Sequence, residues 1–201
     1  MEEKKSKTTI SWEALIDPVI LKPKLINASL LVLSYENLKA TLINKFQDFF
    51  TIGIEEKDFI YSDDYHKLIS KSKNSILYAS IAWSLKMNAI SEGDVELHEE
   101  CKKMRNKISH ELPKVLLEGL PSNLESILKR TLMLIKKIEN WYIINVEIQT
   151  DPDLYDKEIH EESVRSINDL TLELIQYVST SPNTEGEELL KKWKAHINNL
   201  N

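Results

Sequence analysis

Cysteine is nearly absent from this chain of 201 residues: Cys101 is the only one. A lone thiol cannot close an internal disulfide, and it rules out every cysteine-based zinc cluster. Glycine and proline are scarce too, at four and six residues. Sandwiches and barrels turn often and need both, so the scarcity argues against an all-β fold and for a few long elements. No apolar run approaches the ~18 residues that a membrane span requires. The opening Met-Glu-Glu-Lys-Lys-Ser-Lys-Thr-Thr lacks the apolar stretch of a secretory leader. These absences predict a soluble, cytoplasmic protein with no membrane partner. The four glycines are isolated, which excludes a glycine-rich phosphate loop and a nucleophile elbow. No histidine has a glutamate three residues before it, as the ligand pairs of di-iron bundles require. No metal and no cofactor is expected.

What is present is ordinary globular material. Hydrophobic residues make up 42% and charged residues 29%, enough apolar side chain for one sizeable core and too much for wholesale disorder. The net charge of −6 counts against a broad nucleic-acid-coating surface. Its distribution is uneven. Residues 99–140 hold nine Lys/Arg against six Asp/Glu, whereas residues 141–201 hold five against twelve. Solvated helix faces account for the basic excess, and so does a local anion site.

Periodicity predicts an all-α fold, a single antiparallel bundle of about five or six helices over residues 21–201. Residues 1–20 read as a charged tail and a docking strap, in which Trp12, Leu15 and Ile16 would meet the body and Asp17-Pro18 and Lys22-Pro23 mark turns or a helix start. A first helix is predicted from about Pro23 to Phe50, with Leu31, Tyr35, Leu38, Leu42, Phe46 and Phe49 on one stripe. Its Leu25–Leu33 portion is apolar nearly all round, which places it in the core centre or against a second subunit. A break near Gly53 precedes a second helix from about Asp63 to Met87, capped by Ser62 and striped by Tyr65, Ile69, Ser72, Ile76, Ala79, Trp83 and Met87.

A third helix starts near Ser91 or Gly93. Leu97, Cys101, Met104, Ile108 and Leu112 form its stripe, and Pro113 predicts an end or a kink at Leu112. Lys114–Leu120 reads as a short helical turn closed by Gly119 and Pro121. Ser122 and Glu125 make a capping box for a fourth helix that runs on to about Val146, through a segment, Trp141–Val146, that is also β-prone. After an acidic loop, a fifth helix is predicted over about Lys157–Ser179. A last one is opened by Thr184 and Glu187 and runs through Ile197.

His98-Glu99-Glu100-Cys101 resembles a ligand set in print, but Cys101 falls in the apolar stripe and reads as a buried thiol. The chemistry-bearing constellation is Arg105-Asn106-Lys107-Ile108-Ser109-His110. Arginine clamps a phosphodiester well, because its planar fork offers two donors and its charge never titrates. Histidine takes or gives a proton near neutral pH. Together they suffice to cut RNA without metal: the histidine activates the 2′-hydroxyl and the arginine neutralises charge growing on the phosphate. On a helix Arg105 flanks the core stripe at about 60°, while Asn106 and His110 lie about 160° from it, on the outer face. Arg105 and His110 are then about 140° apart. Convergence on one phosphate needs a helix break, or a dimer that pools two such helices.

These residues resemble the motif of the HEPN superfamily, the higher eukaryotes and prokaryotes nucleotide-binding domain: Arg, four to six residues, His, near the end of a helix in an all-α bundle, commonly with Asn after the Arg. Arg105, Asn106 and His110 match it. The resemblance implies a metal-independent endoribonuclease, often a toxin or an antiviral (phage-defence) effector, working as a homodimer on RNA and regulated by an antitoxin or other partner protein. It makes Arg105 the phosphate ligand, His110 the general acid/base and Asn106 the orienting residue. Lys102, Lys103 and Lys107 would add positive field and bind substrate. Members silenced by nucleotidyl transfer carry Tyr two residues after the His; here that residue is Leu112. Some members are non-catalytic binding modules, and a helical scaffold or binding protein is the alternative reading.

Overall fold

The computed structural model describes residues 15–154 and, beyond them, Val164, Thr171, Ile175, Tyr177 and Lys191. Helix α1 spans Pro18–Phe50, and a β-hairpin follows, β1 (Thr51–Glu55) and β2 (Asp58–Tyr61). Then come α2 (Asp63–Lys71), α3 (Ile76–Lys86), α4 (Glu92–Glu118) and α5 (Leu124–Tyr142). The chain leaves α5 through a π-helical turn at Ile143–Glu147 and a last turn at Ile148–Thr150. The fold is all-α, a helical bundle with one small hairpin appended.

Helix α1 starts inside the stretch expected to be a strap. Asp17 caps it by accepting from the Val19 amide at 2.8 Å, and Pro18 sits at the first helical position, where its missing N–H costs nothing. Pro23 is accommodated within the helix, and the carbonyl it cannot bond belongs to exposed Val19. Leu15 is half-buried and Ile16 is exposed, so Ile16 is not a docking residue; Trp12 and the charged tail lie outside the described residues.

The core runs along α1 in three clusters. Ala28, Leu31 and Tyr35 meet Cys101, Met104 and Ile108 of α4 and Ile127 and Leu128 of α5. Leu38 and Leu42 meet Ile81, Leu97, Leu134, Ile135 and Ile138. Phe46 meets Tyr65, Ala79, Trp83 and Tyr142. The predicted α1 stripe is buried from Leu31 to Phe46, but Phe49 is 40% exposed. Leu25–Leu33 is not enclosed all round: Ala28, Leu30 and Leu31 are buried, while Leu25 and Leu33 face outward.

Three local expectations need correction. The break near Gly53 is a hairpin whose β-branched and aromatic residues, Thr51, Ile52, Ile54, Phe59, Ile60 and Tyr61, suit strands. The single helix over 63–87 is two helices, because Lys73 and Asn74 adopt positive φ and Ser75 caps α3 through the Tyr78 amide. The capping box at Ser122 and Glu125 does not form; Asn123 occupies the cap position without a side-chain bond. A capping box does close the start of α4, where Ser91 and Asp94 bond reciprocally and Lys137 donates to Asp94 at 2.6 Å.

Helix α4 bends where Pro113 predicts a kink. Glu111 carries the non-helical dihedrals (φ −121°, ψ 23°), and the helix resumes to end at Gly119. Trp141–Val146 is not a strand: it continues α5 and widens into the π turn. The predicted C-terminal helices fall largely outside the described residues. Thr171, Ile175, Tyr177 and Lys191 are helical, in line with the predicted spans, but Val164, inside the predicted fifth helix, is not, and the Thr184–Glu187 cap is not described.

Candidate active site on helix α4

The Arg105-to-His110 segment lies on the unbroken part of α4, before the bend at Glu111. Its angular layout is therefore that of a regular helix, and Arg105 and His110 point about 140° apart. The kink comes one residue too late to swing His110 towards Arg105. His110 is exposed, and its imidazole makes no hydrogen bond or ring contact among the described residues. Lys103 and Lys107 are exposed and share the His110 side of the helix by the same spacing.

Arg105 is built into the opposite flank. Its side chain is 32% exposed, and the guanidinium carbon stands 5.6 Å from the centroid of the Tyr35 ring. Nη2 donates to Glu36 Oε1 of α1, and Nη1 donates to Asn106 Oδ1 at 3.1 Å. Nε is buried and has no hydrogen-bond partner among the described residues. Glu36 is itself 39% exposed and holds Lys39 at 3.7 Å through its other oxygen. The structure thus joins Arg105 and Asn106, and it adds Tyr35 and Glu36, which sequence reasoning missed.

Lys102 lies one turn before Arg105. It donates to the Tyr78 hydroxyl at 3.2 Å, stands over the Tyr78 ring at 5.5 Å, and reaches Glu99 at 3.6 Å. The Tyr78 bond helps to hold the Lys102 ammonium charged, pushing its pKa up. Two turns before Arg105, on the same side of the helix, is His98. It is 2% exposed, with its ring 5.7 Å from that of Tyr35. Its Nδ1 lies 3.4 Å from Glu99 Oε1 without hydrogen-bond alignment, and Nε2 has no partner among the described residues. Burial, reinforced by Lys102 and opposed by Glu99, pushes the imidazole pKa down, so His98 is held neutral. Burial likewise pushes the Tyr35 phenol up, with Lys102 and Arg105 opposing and Glu36 and Glu99 assisting. The spacing of His98, Lys102 and Arg105 puts them on one face, a grouping the sequence reading did not make; Tyr35, Glu36 and Tyr78 come from other helices and left no such signal.

Beside this cluster an apolar groove of about 520 Å³ opens between α1 and α4. Leu25, Val32 and Leu33 form one wall, Ile108, Ser109 and Leu112 the other, and Glu36 stands at its rim. Cys101 lies beneath, fully buried, and burial together with Glu100 pushes its thiol pKa up, which removes it as a nucleophile. Among the described residues no group of three or more potential metal ligands converges, and no helix is long and apolar enough to cross a membrane.

No family model, curated protein or solved structure matches this chain. The assignment of a function therefore rests on the residues and their geometry.

Proposed function

We propose that the chain is a HEPN-type metal-independent endoribonuclease that acts as a homodimer in the cytoplasm, of the kind that serves as a toxin or a phage-defence effector under the control of a partner protein. The observation that carries this reading is Arg105 itself. A half-buried guanidinium over the Tyr35 ring, paired with Glu36 at the rim of an apolar groove, has the chemistry to take a phosphate, and His110 follows it on the same helix.

Arg105 binds the scissile phosphate, Asn106 orients the guanidinium, and His110 takes the 2′-hydroxyl proton and returns one to the leaving oxygen. Lys102 contributes field from the Arg105 side, Lys103 and Lys107 from the His110 side. Within one chain Arg105 and His110 diverge, so each active centre would pair Arg105 with His110 of a second copy. The apolar groove beside the motif gives that copy a surface to cover.

A non-catalytic binding module is the second reading. It is favoured by the occupation of the Arg105 fork by Glu36 and Asn106.

The deciding experiment compares wild type, Arg105→Ala and His110→Ala on a mixed RNA pool with chelator present, with molar mass measured in parallel. The expected outcome is a dimer that leaves 2′,3′-cyclic phosphate ends, with cleavage reduced at least ~100-fold in both variants while folding is intact. An inactive wild type supports the binding module. Cleavage that survives both substitutions refutes the motif.

A further inference from the structure

The Arg105 fork already holds an anion. Glu36 Oε1 accepts from one N–H of Nη2, and one N–H of Nη1 is turned to Asn106. A carboxylate and a phosphodiester present the same pair of acceptor oxygens to a guanidinium, and one edge of the fork cannot serve both. We propose that Glu36 is a built-in competitor for the phosphate seat on Arg105, so that a nucleic-acid backbone binds by displacing it. The inference rests on Arg105 being an anion seat and adds the regulation of that seat.

Three features make Glu36 a competitor and not a permanent lock. Both side chains are about one-third exposed, so water and ions reach the pair. An exposed ion pair of this kind shifts an equilibrium by no more than about five-fold, which a bidentate contact from an RNA phosphodiester overcomes. Lys39 already contacts the second oxygen of Glu36, and so offers the carboxylate somewhere to go when Arg105 releases it. Once Glu36 has moved onto Lys39, the Arg105 guanidinium is free to meet the incoming phosphate, with Lys102 one turn away on the same helix. The Tyr35 ring holds the guanidinium plane throughout.

The test uses a 2′-O-methyl oligoribonucleotide, which binds but cannot be cut, titrated by fluorescence anisotropy at low salt. The proteins are wild type, Glu36→Gln, Arg105→Ala and the double variant. Gln keeps an acceptor oxygen for Nη2 but carries no charge. Glu36→Gln is expected to bind about two- to five-fold more tightly than wild type, and the gain should vanish in the Arg105→Ala background. Equal or weaker binding by a folded Glu36→Gln protein overturns the proposal and makes the pair a simple tether between α1 and α4. Should Glu36→Gln not fold, Glu36→Asp withdraws the carboxylate by one methylene and should show a smaller gain in the same direction; no gain there overturns it equally. Cleavage of the mixed RNA pool is scored separately. Tighter binding with no cleavage by any variant keeps Glu36 as competitor and removes the nuclease. Cleavage by wild type with binding unmoved by Glu36→Gln does the reverse.

Discussion

At the hairpin end of the bundle, Phe46 is fully buried and its ring meets those of Phe50, Tyr65 and Trp83 at centroid separations of 5.0, 5.2 and 5.9 Å. Trp141 closes on Trp83 at 6.0 Å, edge to face. At the motif end Tyr35 is the one buried ring of the cluster, the rest of the fill is aliphatic or sulfur-bearing, among it Ala28, Leu31, Cys101, Met104 and Ile108, and a groove of about 520 Å³ stays open beside it. Charge is present at both ends: at the hairpin end Lys45 pairs with Glu139 at 3.7 Å and Glu147 at 3.2 Å and stands over the Tyr142 ring. The motif end carries Glu36, Lys102 and Arg105 at its edge, with neutral His98 sealed behind them. Large rings fill space from several directions, whereas branched aliphatics on two crossing helices leave an apolar trough. Aromatic packing and the apolar groove are thus segregated along the length of α1.

The largest effect should come from emptying the closed end. Phe46→Ala removes the ring on which three others pack and should cost about 3–5 kcal/mol in urea unfolding, while leaving oligonucleotide binding at Arg105 unchanged if the two ends are independent. Ile108→Ala cuts into the base of the groove and should cost about 2–4 kcal/mol; a loss matching that of Phe46→Ala would erase the contrast between the ends.

His98 sharpens the comparison through pH. Its folded pKa lies below its unfolded value of about 6.5, so on acidification the unfolded chain takes up the proton first. Its contribution is fully present above about pH 6.5 and is lost as pH falls through the folded value. Between pH 7 and pH 5, wild type should therefore lose about 2–4 °C more in Tm than His98→Gln. A larger loss by the variant would mean that the imidazole is charged in the fold. The smallest effect belongs to His110→Ala, within about 0.5 kcal/mol of wild type in unfolding, since its exposed ring holds nothing in place.

Much of this layout could be read from the chain. Leu31 to Phe46 and Leu97 to Ile108 repeat at helical steps because each faces one continuous core, and that regularity survives folding. Pro113 announced the bend, and the helical spacing of Arg105 and His110 already gave their divergence. What escaped was local or distant. Lys73 and Asn74 break a helix by left-handed backbone, a choice that periodicity does not register when Ala79 and Trp83 stay in phase. The hairpin is too short to show a pattern against its flanking helices. Glu36 meets Arg105 across 69 residues of chain, and no spacing rule within one helix connects them.

The bend at Glu111 divides α4 into a ruler and a clasp. Arg105, Asn106 and His110 are marks on the ruler, fixed in separation by unbroken hydrogen bonding. The segment past Pro113 is the clasp: Val115 and Leu116 are buried, and the Leu116 carbonyl accepts from Lys24 of α1 at 3.0 Å. Leu112, in the groove wall, sits at the joint between them. Ile108 and Ser109 of the same wall stand on the ruler itself, so the groove and the gauge between arginine and histidine are built on one unbroken stretch of helix.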